Sequence, residues 1–422
     1  MVSPKIKVIL PELPPELWLR IHELATHVPS LLDPDLALDF SSSSRRARWK
    51  LLRESLITKR YLVRVCKQWR SLATPFLYKS LYIGRGRALP SLSSTLNLSK
   101  ENPRRHGTNY ALGFWTQRID VVMRDHIGIH GQDRDVSAEL YLLSEIFRCL
   151  PNLTIINFGI TATLYCEIHL PAVVLQSIAD TSGSCLRAIV WHVDTPAPYK
   201  VDWRTFLLRT PNVKTVQCPT SFFVDSPAQL DNSIQIPELL SLEHLSVIAD
   251  DEVDPPSPEH LPFLPLHRLC IVSVTNAGIL PQVALLEKYG GNLKVFQLGG
   301  QVLGELLFNL RLIANTCPNL YRLDISFSED INEKIDWSAL PENIQILGLQ
   351  FDRGRFPKKV YETLFSSLCD ITPGTKLKVI QFTDQMNVRD LYERHRRVLS
   401  GNAGRLAEKG LELHDHKGSS MQ

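Results

Sequence analysis

From Cys317 to Phe327 the chain reads Cys-Pro-Asn-Leu-Tyr-Arg-Leu-Asp-Ile-Ser-Phe, directly after an apolar helical run from Val302 to Ala314. Pro318 lacks a backbone donor and stops that helix. Asn319 suits the tight turn that follows, because its short amide tolerates left-handed geometry. Leu320, Leu323 and Ile325 then fit L-x-x-L-x-L, a turn residue leading into a short alternating strand. A unit of helix, stop, turn and strand cannot bury its apolar face alone, so further copies are expected. They occur at Leu153/Ile156/Phe158, Leu186/Ile189/Trp191, Val213/Val216/Cys218 and Leu242/Leu245/Val247. They continue at Leu266/Leu269/Ile271, Leu293/Phe296/Leu298, Ile344/Leu347/Leu349 and Leu377/Ile380/Phe382. The pairs Pro151-Asn152, Pro211-Asn212, Gly291-Asn292 and Pro318-Asn319 repeat the stop and turn.

First positions lie between 24 residues (Leu242 to Leu266) and 33 residues (Leu153 to Leu186) apart. Most of these intervals fall inside the leucine-rich-repeat period. The expected fold class is therefore α/β, with a repeat solenoid carrying a parallel curved sheet over 150–383. An ordinary α/β domain with short parallel strands is the competing reading. Leu81/Ile83 and Ile119/Val121 suggest irregular early repeats with a loop over 79–149. A helix from about Val388 to Leu406 is expected to cap the open end within 384–422, before a flexible polar tail. Alternation turns Arg322, Asp324 and Ser326 to the open sheet face if Leu323 and Ile325 point inward. Carried to the other copies, His192, His244, Arg268, Arg322 and Asp324 form the core of an expected substrate surface. Nine strands span roughly 40 Å, enough for a protein interface of about 1,600 Å². The mixture of neutral polar groups with a few charges suits a polypeptide better than a polyphosphate.

The N-terminal part reads differently. Leu13 to Leu24 is Leu-Pro-Pro-Glu-Leu-Trp-Leu-Arg-Ile-His-Glu-Leu, with Pro14 and Pro15 at a helix start and Glu16 at the positive end of its dipole. Leu17, Ile21 and Leu24 share one stripe. A polar segment follows, then an amphipathic run from Arg60 through Trp69 that Pro75 closes. L-P-x-E-L at 13–17 and V-C-K-x-W-R-x-L-A at 65–73 resemble an F-box, of the kind found in fungal F-box proteins with leucine-rich repeats. The resemblance covers about 11–78, within a helical module expected over 1–78 with an insertion at about 26–59. It implies a substrate-recognition subunit of an SCF-type cullin-RING ubiquitin ligase, docked on a Skp-type adaptor through Leu13, Pro14, Leu17, Ile21 and Val65. Trp69 is expected inside the module. The alternative is a leucine-rich-repeat interaction scaffold outside any ubiquitin ligase.

Composition narrows the field further. The chain has 422 residues, 44% hydrophobic, with a formal net charge of +3. No apolar run nears the roughly 18 residues of a membrane span, and Val8 to Leu10 is too short for a signal-peptide core. Eight scattered cysteines without a C-x-x-C pair suggest buried thiols in the cytoplasm or nucleus. No enzyme motif stands out, so a non-enzyme without cofactor or metal is expected. His22 and His27 are five positions apart, which at about 100° per residue puts them on different helix faces. Gly84-Arg85-Gly86-Arg87 reads as a basic turn, Asp125, His126, His130 and Asp133 as loop residues, and His414-Asp415-His416 as part of the tail. Between Arg45 and Arg70, ten basic residues face the single acid Glu54. A solvated helix face ranks first for that run, partner complementarity second and nucleic acid last. The acidic, proline-rich stretch Asp250 to Pro265 reads as a surface insertion.

Overall fold

Every copy of the repeated pattern supplies one strand of a single sheet. The computed structural model describes residues 13–34, 42–103, 109–123, 136–160, 169–192, 195–219, 241–249, 264–273, 283–301, 303–327, 331–351, 355–371 and 376–421. The nine expected strands are β3 (Ile155–Phe158), β4 (Ala188–Trp191), β5 (Thr215–Pro219), β6 (His244–Ala249), β7 (Arg268–Ser273), β8 (Val295–Gln301), β9 (Arg322–Phe327), β10 (Ile346–Phe351) and β11 (Val379–Phe382). Two more precede them, β1 (Ser80–Ile83) and β2 (Arg118–Val121), and one follows, β12 (Glu412–His414). All twelve pair in parallel with their chain neighbours, in the order β1 to β12. Sequential order with only parallel neighbours is how a solenoid lays down one turn beside the last.

The helices that connect the strands cover one face of this sheet. They include α4 (Leu89–Glu101), α5 (Val136–Phe147), α6 (Ala172–Ser182), α7 (Lys200–Leu208), α8 (Val283–Tyr289), α9 (Leu303–Thr316) and α10 (Lys358–Cys369). Leu153, Leu245, Leu323 and Leu347 belong to one continuous core with Leu143, Ile178, Phe206, Leu310 and Leu364 of those helices. Between β9 and β10 no helix intervenes among the described residues; Ile331, Ile335, Trp337 and Leu340 fill the same layer from an irregular segment.

Asn319 does something other than expected. It is not left-handed, since Ser30 (φ 58°) is the one described non-glycine residue with positive φ. Its side chain instead donates to the Gly291 carbonyl of the preceding turn, at 2.7 Å. Asn152 donates likewise to Phe114 O (2.8 Å), Asn212 to Ser184 O (2.9 Å) and Asn343 to Pro318 O (2.7 Å). Each amide ties a turn to its predecessor, where a helix end leaves carbonyls without partners.

Two corrections concern the ends. The segment after Thr26, expected as a polar insertion, is largely α2 (Ser42–Val65), which follows α1 (Pro15–Thr26). The run expected to continue from Arg60 through Trp69 breaks at Cys66, whose Sγ accepts the Trp69 N–H (3.4 Å) and caps α3 (Lys67–Tyr78). Pro75 lies inside α3 rather than closing it. The C-terminal cap is two helices, α11 (Gln385–Arg394) and α12 (Arg396–Glu408), split at His395. Residues expected as a flexible tail form β12, paired with β11, and a turn in which Asp415 Oδ1 accepts the Lys417 and Ser419 N–H groups.

Candidate functional site

Two surfaces emerge, one on α1 and one on the open sheet face. In α1 the most apolar stripe is not the packed one. Trp18 and His22 turn toward α3, where their rings lie 4.8 and 4.9 Å from Trp69. Thr26 closes the same side by donating to His22 O at 2.7 Å, and its own carbonyl accepts Ser55 Oγ of α2 at 2.6 Å. Leu17, Ile21 and Leu24 are left outward, Leu17 being 51% and Ile21 43% exposed. Pro14 and Val65 are also exposed, and Leu13 is half-buried. A surface helix ordinarily buries its apolar stripe and shows its polar one. Here the apolar stripe is the exposed one, which makes α1 a candidate docking surface. Trp69 sits inside the module.

His22 is fully buried and neither ring nitrogen has a hydrogen-bond partner among the described residues. Burial pulls its pKa below the ordinary 6.5, so the neutral ring is the folded form. The unfolded chain then binds the extra proton at acid pH, and stability contributed by the neutral ring is present above about 6.5 and lost below it. Urea midpoints measured at about pH 7 and about pH 5 should therefore fall on acidification, and His22→Phe should flatten that fall. An equal fall in the variant would exclude His22 as its source.

The open face carries two rows of side chains in register. One row runs from Ser80 and Arg118 through Ile155, Ala188, Thr215, His244, Arg268 and Val295 to Arg322, Ile346 and Val379. The next runs from Tyr82 and Asp120 through Asn157, Val190, Gln217, Ser246, Cys270 and Gln297 to Asp324, Gly348 and Gln381.

The first half of this face is covered. Val28, Leu31 and Leu52 form a small apolar cluster with Tyr82 of β1. The Trp49 ring of α2 lies 6.1 Å from that of His192. Beneath them runs a polar chain across three strands. His192 Nε2 pairs with Asn157 Oδ1 (2.8 Å), and Asn157 Nδ2 donates to Asp120 Oδ1 (2.8 Å). Arg118 clasps Asp120 (Nε to Oδ2 2.7 Å, Nη2 to Oδ1 2.8 Å) and gives Nη1 to the Leu31 carbonyl (2.9 Å). The N-terminal helices thus rest on the sheet, as their small combined core requires.

Of the five open-face residues singled out by alternation, His192 belongs to this covered half. The other four lie on β6 to β9, where Arg268 donates to Gln297 (2.9 Å) and Arg322 to Asp324 (2.9 Å). Asn157 lies on β3, after the pair Pro151-Asn152, whereas Arg118 and Asp120 escaped notice because no stop-and-turn pair precedes β2. Their only trace is the same Arg-x-Asp spelling as Arg322-Leu323-Asp324.

The two buried thiols on β5 and β7 are held protonated by their surroundings. Cys270, buried on the open face, has its thiol pushed up to about 12 by burial, and burial raises Cys218 as well. Gly86 of the basic turn is packed against the Glu139 carboxylate, an acid where a phosphate would have to sit. No cluster able to hold a metal occurs among the described residues. Asp125 to Asp133 and Asp250 to Phe263 lie outside them. Lys50, Arg53, Arg60, Arg64, Lys67 and Arg70 of the basic run are exposed, whereas Lys59 is buried and its amine is lowered to about 8, by burial first and Lys79 second. No described helix is long and apolar enough to cross a membrane. No protein-family model matches the chain, and no curated protein matches it.

Proposed function

We propose that the chain is a substrate-recognition subunit of a cullin-RING ubiquitin ligase, with α1 to α3 an F-box-type module and the solenoid a set of leucine-rich repeats. The outward stripe of Leu17, Ile21 and Leu24 carries this reading. In it, Leu13, Pro14, Leu17, Ile21 and Val65 dock a Skp-type adaptor by apolar burial, at about 25 cal/mol per Å². The open half of the sheet holds a protein substrate around Arg268, Arg322 and Asp324, with His244 beside them. The chain performs no chemistry; it raises the local concentration of a substrate beside a ubiquitin-charged enzyme.

One observation favours a second reading, a repeat scaffold that no adaptor engages. The long α2 is used to anchor the module on its own sheet. Capture of the full chain on an immobilised Skp-type adaptor separates the two. The ligase reading expects binding by the wild-type chain and at least about tenfold weaker binding by Leu17→Asp/Ile21→Asp, because charge placed in an apolar interface core must be desolvated. Equal capture of both, or none of the wild type, favours the scaffold.

A further inference from the structure

The sheet contains the same Arg-x-Asp pair twice, at the same two row positions, and among the described residues only one copy is occupied. On β2, Arg118 spends Nε and Nη2 on Asp120 and has Nη1 left for the Leu31 carbonyl. That carbonyl is presented by a turn in which Leu31 N–H donates to Val28 O (3.3 Å), Asp33 N–H donates to Ser30 O (3.3 Å) and Ser30 is left-handed. The Leu31 side chain is buried beside it. On β9, Arg322 is held to Asp324 through Nε alone (2.9 and 3.1 Å), and neither Nη has a partner among the described residues. The Arg322 side chain is 23% exposed, against 3% for Arg118.

We infer that the Arg322–Asp324 pair is a clamp for a backbone carbonyl, and that the polypeptide it grips presents that carbonyl on an uncharged turn with an aliphatic side chain. The inference rests on the substrate-binding role proposed for this half of the sheet and names the chemistry recognised there. Three features select this ligand. Asp324 offsets the charge of Arg322, so the free N–H groups favour a neutral acceptor, and a carboxylate or phosphate would meet the Asp324 charge as well. The planar guanidinium keeps its remaining donors in a fixed fork, aimed by the Asp324 contact. In register, Val295 and Ile346 flank Arg322, both half-exposed, and offer an apolar floor on either side.

Gly348 holds the clamp open. A Cβ at that position would lie 1.9 Å from Asp324 Oδ1, so the carboxylate occupies the space a side chain would take. Gly348 is therefore a positioning residue for Asp324.

The test is selection of cyclic peptides from a random library on the full chain, followed by binding of the selected peptides to variants. Recovered peptides should carry no required acidic residue. They should bind about tenfold more weakly to Arg322→Met, to Arg322→Lys, which keeps charge but not the fork, and to Gly348→Ala, which keeps both charged groups. Capture by the Skp-type adaptor is read on the same preparations and should stay unchanged; Arg322→Met and Gly348→Ala disturb the buried Asp324 and should lower the unfolding midpoint, so peptide binding is compared well below the midpoint of the least stable variant. Failure to recover any peptide, unchanged binding by Gly348→Ala and Arg322→Lys, or binding that depends on a peptide carboxylate would each overturn the clamp. Adaptor capture without peptide binding sinks the clamp alone; peptide binding without adaptor capture sinks the ligase reading alone.

Discussion

Arg118→Met is expected to destabilise the chain by about 3–5 kcal/mol, the range for removing one partner of a buried ion pair. Asp120 is completely buried, and Arg118 supplies two of the three donors that face its carboxylate. Asn157 Nδ2 alone then faces a charge that water cannot reach. Methionine fills much of the volume, so the loss is electrostatic rather than a cavity. A second consequence is local. Arg118 also holds the Leu31 carbonyl, 87 residues away in the chain. With it gone, the turn over β1 and β2 loses its polar anchor, and amide exchange should rise from Leu13 to Val65 before it rises in β5 to β11. Arg118→Met/Asp120→Leu should recover most of the stability, because an apolar pair leaves no orphaned charge. It should not restore slow exchange in the N-terminal helices. Urea unfolding with site-resolved exchange measures both; a single-variant loss under about 1 kcal/mol would remove the buried pair from the account.

The same residues show where reading the chain reaches its limit. The ladder was visible because each turn repeats an apolar triplet, and a solenoid core is a local property stacked many times: Leu323 needs only its own turn and the neighbouring ones. Direction along the strands was visible too, since alternation alone sends Arg322 and Asp324 to the face opposite Leu323. What alternation does not encode is what lies over that face. The covering of β1 to β4 depends on contacts such as Trp49 with His192, between segments with no shared periodicity. α2 was hidden for a related reason. It is strongly basic, with a short apolar face of which Trp49 and Leu52 are buried, and a polar stretch reads as a linker. The break at Cys66 depends on a thiol acting as a cap, a weak acceptor with no sequence signature. β12 is three residues long, too short for a period, although Leu411 and Leu413 do alternate inward. On α1 the stripe of Leu17, Ile21 and Leu24 was plain. That it faces outward follows from Trp18 and His22 packing tilted and edge-on against Trp69, which spacing within one helix does not reveal.

Asp390→Ala should be the second severe lesion, at the other end of the stack. Asp390 is a buried residue of α11 whose Oδ2 accepts the Phe356 N–H (3.1 Å) and the Tyr361 hydroxyl (3.2 Å), while Oδ1 accepts Arg394 Nη1 (3.1 Å). One carboxylate thereby joins the strand exit after β10, helix α10 and the capping helix α11. Tyr361 is fully buried, and its hydroxyl is held far above its ordinary titration range by burial first and by Asp390 next. Truncation orphans two buried donors at about 1–3 kcal/mol each, so a loss of about 2–6 kcal/mol is expected. Arg394 adds little, being half-exposed and free to find water. Asp390→Asn retains one acceptor oxygen and should cost less than the alanine variant. Because each turn of a solenoid leans only on its neighbours, the damage should spread from the end inward. Exchange should accelerate in β11, α12 and β12 while β3 to β5 keep their protection. A uniform loss of protection along the chain would mean that the stack unfolds as one unit and that α11 and α12 are not an independent cap. Retained adaptor capture by the same variant would further show that the N-terminal module does not depend on this end of the sheet.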